Sequence, residues 1–63
     1  MKCSQFIRIL QKDGWYTVSQ TGSHIKMKHP TKKGLLIVPN HGSSEVGKGL
    51  ELRLRKLADL PKK

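Results

Sequence analysis

Three side chains in the segment Gly22-Ser23-His24-Ile25-Lys26-Met27-Lys28-His29-Pro30 could do chemistry together: the imidazole of His24 and the ammonium groups of Lys26 and Lys28. The segment alternates strictly. On a β-strand successive side chains point to opposite faces, so Ile25 and Met27 point one way and His24, Lys26 and Lys28 the other. If the first face is core, the second is an open surface with one imidazole beside two ammonium groups. An imidazole ordinarily titrates near neutral pH and can accept or donate a proton there. Ammonium groups can hold phosphate and stabilise the charge of a phosphorane. A proton-transfer group beside phosphate-binding charges suits cleavage of RNA, which brings its own nucleophile in the 2′-hydroxyl.

The carboxylates point away from metal chemistry. Asp13, Glu45, Glu51 and Asp59 are the only acidic residues, no two are close in sequence, and none falls on the central strands. Two-metal nucleases need clustered oxygen ligands, so the expectation is a site with no metal and no cofactor. The three histidines fit no common zinc-ligand spacing. His24 is therefore expected as the catalytic acid or base, Lys26 and Lys28 as phosphate holders, and Gly22 and Ser23 as the turn that lets the backbone approach. Lys48, expected near the N-terminus of a last helix, could meet phosphate together with free backbone N–H groups. Candidates for a second proton-transfer group are His29, His41 and solvent. By alternation His29 falls on the Ile25 and Met27 side, and before a proline it reads as a structural turn residue. His41 reads as a loop residue.

Charge supports a polyanionic partner. Thirteen Lys and Arg against four Asp and Glu give +9 on 63 residues, a balance that favours nucleic acid. The length implies one domain, residues 1–63, and a domain this small buries only ~60% of its unfolded surface. A single cysteine, Cys3, excludes an internal disulfide and fits the cytoplasm. No apolar run is long enough to cross a membrane.

The elements that must position these residues can be read in order. Cys3, Phe6, Ile7 and Leu10 form one apolar stripe, which predicts a helix over 4–13 with Ser4 as N-cap and Gly14 closing it. Residues 15–21 read as a strand in which Tyr16 and Val18 alternate against Thr17 and Ser19. A turn at 21–23 leads to a second strand over 24–29, which Pro30 ends. Thr31 to Gly34 is a hairpin loop, with Lys32 and Lys33 as its solvated tip. Leu35 to Val38 is a third, more buried strand. After a Gly- and Ser-rich loop, Leu50 to Leu60 is predicted as a helix with Leu50, Leu54, Leu57, Ala58 and Leu60 on one face and Leu52 off it. The tail 61–63 is expected to fray. One of Trp15 and Tyr16 is needed in the core, leaving the other to stack bases; Cys3 belongs to the core stripe. The result is an α+β domain of order α-β-β-β-α, a three-stranded antiparallel sheet with both helices on one face.

This order and these residues resemble the HicA toxins, small mRNA interferases of bacterial toxin–antitoxin pairs. The opening helix running into Lys12-Asp13-Gly14-Trp15, then Gly22-Ser23-His24 with His29-Pro30, Val38-Pro39-Asn40-His41, and Glu45-Val46-Gly47-Lys48-Gly49-Leu50 carry the resemblance over nearly the whole chain. It implies a fold similar to a double-stranded-RNA-binding domain, endoribonuclease activity on mRNA centred on His24, and a cognate HicB-like antitoxin that shields the site. Where many relatives carry a second histidine this chain has Ile25, and its last helix has an unusual leucine alternation. The alternatives are a non-catalytic double-stranded RNA-binding module using Arg53, Arg55 and Lys56, and a small interaction subunit for an acidic partner. His24→Ala separates them, since only a nuclease loses its activity with it.

Overall fold

The computed structural model describes residues 1–60; the tail 61–63, expected to fray, lies outside the described residues. The order is α1 (Cys3–Asp13), β1 (Tyr16–Thr21), β2 (His24–Lys28), β3 (Leu36–Pro39) and α2 (Lys48–Leu57). The expected α-β-β-β-α arrangement is found, with an antiparallel sheet of order β1-β2-β3. Ile25 and Met27 of β2 and Leu36 and Val38 of β3 bury against Phe6 and Leu10 of α1, Leu54 of α2, and Ala58 just beyond it. Both helices thus cover one sheet face. Each such side chain contributes about 1.5–3 kcal/mol on full burial.

The ends of α1 show where local reading falls short. Ser4 was the expected N-cap, but the cap position is Lys2, whose side chain has no acceptor to offer. The free N–H groups of the first turn are met from elsewhere. Cys3 N–H donates to the Ser44 carbonyl at 2.9 Å and Ser4 N–H to the Gly42 carbonyl at 3.1 Å, while Lys2 N–H donates to Gln5 Oε1 at 3.0 Å. The loop before α2 therefore caps α1, a contact no local motif announces. At the other end Gly14 closes the helix as expected, at φ 111°. It could carry no side chain in any case, since a Cβ there would lie 2.6 Å from His29 Nε2.

Three expectations are corrected by the sheet and α2. Tyr16 and Val18 do not alternate together, because a β-bulge between Thr17 and Ser19 sets Val18 outside the pairing register. Leu35 to Val38, expected as a more buried strand, is buried no more than β2: β3 begins at Leu36, and only Leu36 and Val38 face the helices. A sheet covered on one side alone buries every second residue. On α2, which starts two residues earlier than expected, Leu54 and the following Ala58 are buried but Leu50 is exposed and Leu57 is 61% exposed. The flank of the inner row is charged instead. Arg55 Nε donates to Glu51 Oε2 at 2.9 Å, and its guanidinium lies 5.6 Å from the Phe6 ring centroid. The helical wheel found the apolar stripe but could not say on which side the core would meet it.

The β2–β3 loop supplies the tie that closes the domain. Lys32, expected at a solvated tip, turns inward. Its ammonium donates to Asp13 Oδ2 at the end of α1, to the Ala58 carbonyl at 3.0 Å and to the Asp59 carbonyl at 2.8 Å. Its three protons thus meet three acceptors, two of them carbonyls at the end of α2, where a cation is favoured. The Lys32 ammonium holds the Asp13 carboxyl below its ordinary value of 3.8, against the opposing effect of burial. A carboxyl lowered on folding adds stability that is present above its unfolded value and is lost as pH falls through the folded one. In urea titrations Asp13→Asn should therefore be less stable than the parent at pH 7, and the gap should narrow steadily below pH 3.8. A gap that stays constant through acid would remove Asp13 as a source of the pH dependence.

Candidate active face

The sheet surface turned away from the helices carries the candidate site. Along β2 the side chains of His24, Lys26 and Lys28 are exposed while Ile25 and Met27 are buried, as the alternation requires. Directly opposed residues of antiparallel strands share a face. Thr21 therefore flanks His24, Ser19 flanks Lys26 and Tyr16 flanks Lys28 on the β1 side. Pro39 and Ile37 flank His24 and Lys26 on the β3 side. No strand of the sheet contains an Asp or Glu.

The acids are engaged elsewhere. Asp13 pairs with Lys32, Glu51 with Arg55, and Glu45 with the amino group of Met1 at 2.8 Å. That last pair lowers the Glu45 carboxyl and raises the Met1 amine. The positive charge of the open face is thus uncompensated by neighbours on the sheet. Among the described residues no three His, Cys, Asp or Glu side chains gather closely enough to hold a metal ion.

The turn before His24 is a two-residue hairpin, Gly22-Ser23, between the paired Thr21 and His24. Gly22 sits at φ 58°, the left-handed conformation a type II′ turn places at its first central residue. The space where its side chain would stand is open. Asn40 N–H donates to the Ser23 carbonyl at 2.6 Å, so the turn is fastened to the exit of β3. Gly22, Ser23, His24, Lys26 and Lys28 are brought together on one surface. Lys48 is not: it opens α2 in the helix layer, exposed, behind the sheet. His41 is exposed in the loop after β3.

His29 is structural, as the turn reading expected. Its Nε2 lies 2.7 Å from the Asp13 carbonyl. Its Nδ1 accepts the Thr31 and Lys32 N–H groups, each at 3.1 Å. Two backbone donors at Nδ1 assign the proton to Nε2, which donates to the carbonyl. The ring packs edge-on to Trp15 at 5.3 Å between centroids, so both nitrogens are spent on holding the loop. Trp15 is the core aromatic and Tyr16 the exposed one; Cys3 is buried as expected. Ile25 is core and faces the helices. Arg55, one of three cations offered for duplex binding, is turned toward Glu51 and Phe6, leaving Arg53 and Lys56 on the outer surface. Sequence reading placed Lys32 at a solvated tip, because nothing local marks a loop lysine whose three acceptors come from the ends of two helices.

Fold and face together define a small α-β-β-β-α domain with one uncovered, basic sheet surface. Compared with known families, residues 3–60 match the HicA toxin of bacterial toxin–antitoxin systems. The chain belongs to that family, a family of toxins that act with an antitoxin partner. No curated protein matches the chain. No helix among the described residues is long and apolar enough to cross a membrane.

His24 on β2 and His29 just after it should separate cleanly in stability. His24→Ala removes an exposed side chain with no hydrogen bond among the described residues and should shift unfolding by less than about 0.5 kcal/mol. His29→Ala strips partners from one carbonyl and two N–H groups and should cost about 2–4 kcal/mol. Urea unfolding followed by Trp15 fluorescence checks both. Equal losses would mean that His24 is held in the fold.

Proposed function

We propose that this chain is a metal-independent endoribonuclease toxin that cleaves mRNA, with His24 as its catalytic acid or base. The observation that carries the reading is the row His24, Lys26, Lys28 on a sheet face whose strands hold no carboxylate. Membership of the toxin family supports it.

The chemistry follows from the substrate. The 2′-hydroxyl oxygen attacks the adjacent phosphorus, and His24 Nδ1 or Nε2 removes its proton. The bond from phosphorus to the 5′-oxygen breaks, and that oxygen leaves with a proton supplied by solvent or by an acid yet to be assigned. The products are a 2′,3′-cyclic phosphate and a 5′-hydroxyl. Lys26 and Lys28 hold the phosphates next to the cut and add positive potential along the strand. The open turn at Gly22 and Ser23 admits the ribose–phosphate chain close to His24. Lys48, in the helix layer, adds long-range attraction only. A HicB-like antitoxin binds in the cytoplasm over the basic face and shields His24 from RNA.

Purified parent and His24→Ala should be compared on a long unstructured RNA, with and without a chelator. The parent should cut equally in both and leave cyclic phosphate ends. His24→Ala should cut on the order of 10²–10⁴-fold more slowly while unfolding at the same urea concentration. Linear 3′-hydroxyl ends, or unimpaired cutting by His24→Ala, would overturn the mechanism. In bacteria the parent should arrest growth with loss of mRNA, and the variant should do neither.

A further inference from the structure

The open face carries ring and apolar surface as well as charge, interleaved at a regular spacing. Tyr16 stands directly across from Lys28 and is 48% exposed; Ile37 stands directly across from Lys26 and is 50% exposed. The basic row on β2 therefore runs between an aromatic ring on the β1 side and a branched aliphatic on the β3 side. Leu35, one residue before β3, extends the apolar margin.

Alternate residues of an antiparallel strand lie about 6.8 Å apart, and consecutive phosphates of an extended RNA strand, six backbone bonds apart, can span a similar distance. From His24 to Lys28 is two such steps. We propose that β2 is the ruler of a single-stranded RNA track. The phosphate being cut sits at His24, the next two along the strand sit over Lys26 and Lys28, and the base two nucleotides from the cut stacks on Tyr16. Tyr16 then favours single-stranded over duplex RNA, whatever the base. This inference rests on the assignment of the cut to His24.

Two physical points favour single-stranded RNA over other polyanions. A duplex turns its bases inward, so Tyr16 and Ile37 would find no ring face to cover. An extended acidic peptide could match the charge, but β2 is the central strand. Its N–H and C=O groups are already paired to β1 and β3, and a peptide laid over it would gain no ladder hydrogen bonds. An RNA strand needs none, since charge and stacking suffice.

The test uses the full chain made inert by His24→Ala and fluorescently labelled oligonucleotides, with Kd read by anisotropy. Affinity should rise steeply with single-strand length up to about three or four nucleotides and only slowly beyond. The same sequence annealed to its complement should bind more weakly. Adding Tyr16→Ala should weaken single-strand binding on the order of 10- to 100-fold, while Tyr16→Phe, which keeps the ring, should stay within about twofold. In the active chain Tyr16→Ala should raise KM by a similar factor with kcat little changed, and circular dichroism should show both Tyr16 variants folded. Duplex binding as tight as single-strand binding would overturn the track. So would a Tyr16→Ala variant that binds like the parent, or an acidic polypeptide such as polyglutamate that displaces RNA at lower concentration than RNA itself. Cleavage of long RNA by the parent reports separately on the nuclease assignment. A parent that cuts through His24 yet shows no Tyr16 dependence loses the track and keeps the activity. A parent that cuts no RNA loses both.

Discussion

The structure depends on one half-buried corner, where the Lys32 ammonium meets the Asp13 carboxylate and the carbonyls of Ala58 and Asp59. This single side chain ties the end of α1, the β2–β3 loop and the end of α2. His29 fastens the same corner from the side, donating to the Asp13 carbonyl and accepting from the Thr31 and Lys32 amides. A domain of this size has little core in reserve, so polar ties at its corners must do what extra apolar burial does in larger proteins. The consequence reaches the open face. β2 leaves the sheet at His29, and its other end is fastened through Ser23 to Asn40. The strand that carries His24, Lys26 and Lys28 is thus held at both ends by groups that do not belong to the face.

The same economy explains where the charge goes. Three of the four acids pair within the fold, with Lys32, with Arg55 and with the Met1 amine. Spending the carboxylates on internal ties leaves most of the cations among the described residues without a carboxylate partner and places three basic side chains on a sheet surface free of acids. A surface of that kind repels copies of itself and attracts polyanions. The exposed apolar side chains of Tyr16, Leu35 and Ile37 would give a protein partner on this face something to bury as well as something to neutralise.

The pattern within β2 was legible except for its last residue: the strand expected over 24–29 ends at Lys28. Strict alternation named both faces, and Pro30 and Gly22 marked the ends. The apolar stripe of α1 and its closure at Gly14 were equally plain, since each depends on residues within a few positions of one another. The N-cap was misread because α1 is capped by carbonyls of residues 42 and 44, far away in sequence. The burial of α2 was misread because five apolar positions fit one helical face while only Leu54 and Ala58 meet the core at full depth. The bulge at Val18 carries no glycine or proline to announce it.

Sequence alone determined the order of the elements, the two faces of β2 and the candidacy of His24, because period and turn chemistry are local and a side chain on an alternating strand has only two directions to point. It also fixed the family, whose motifs are short and ordered along the chain. Tertiary structure supplied the partners that spend one histidine and leave the other free, which the turn reading at Pro30 had only suggested. His24 and His29 are five residues apart in the same segment, yet one finds no hydrogen-bond partner among the described residues and the other finds an acceptor on α1 and two donors in its own loop. It decided likewise that Lys32 is an internal tie while Lys26 and Lys28 face outward, and that Trp15 is core while Tyr16 is surface. Each of those outcomes depends on what the folded chain brings alongside, and the sequence near the residue holds no record of it.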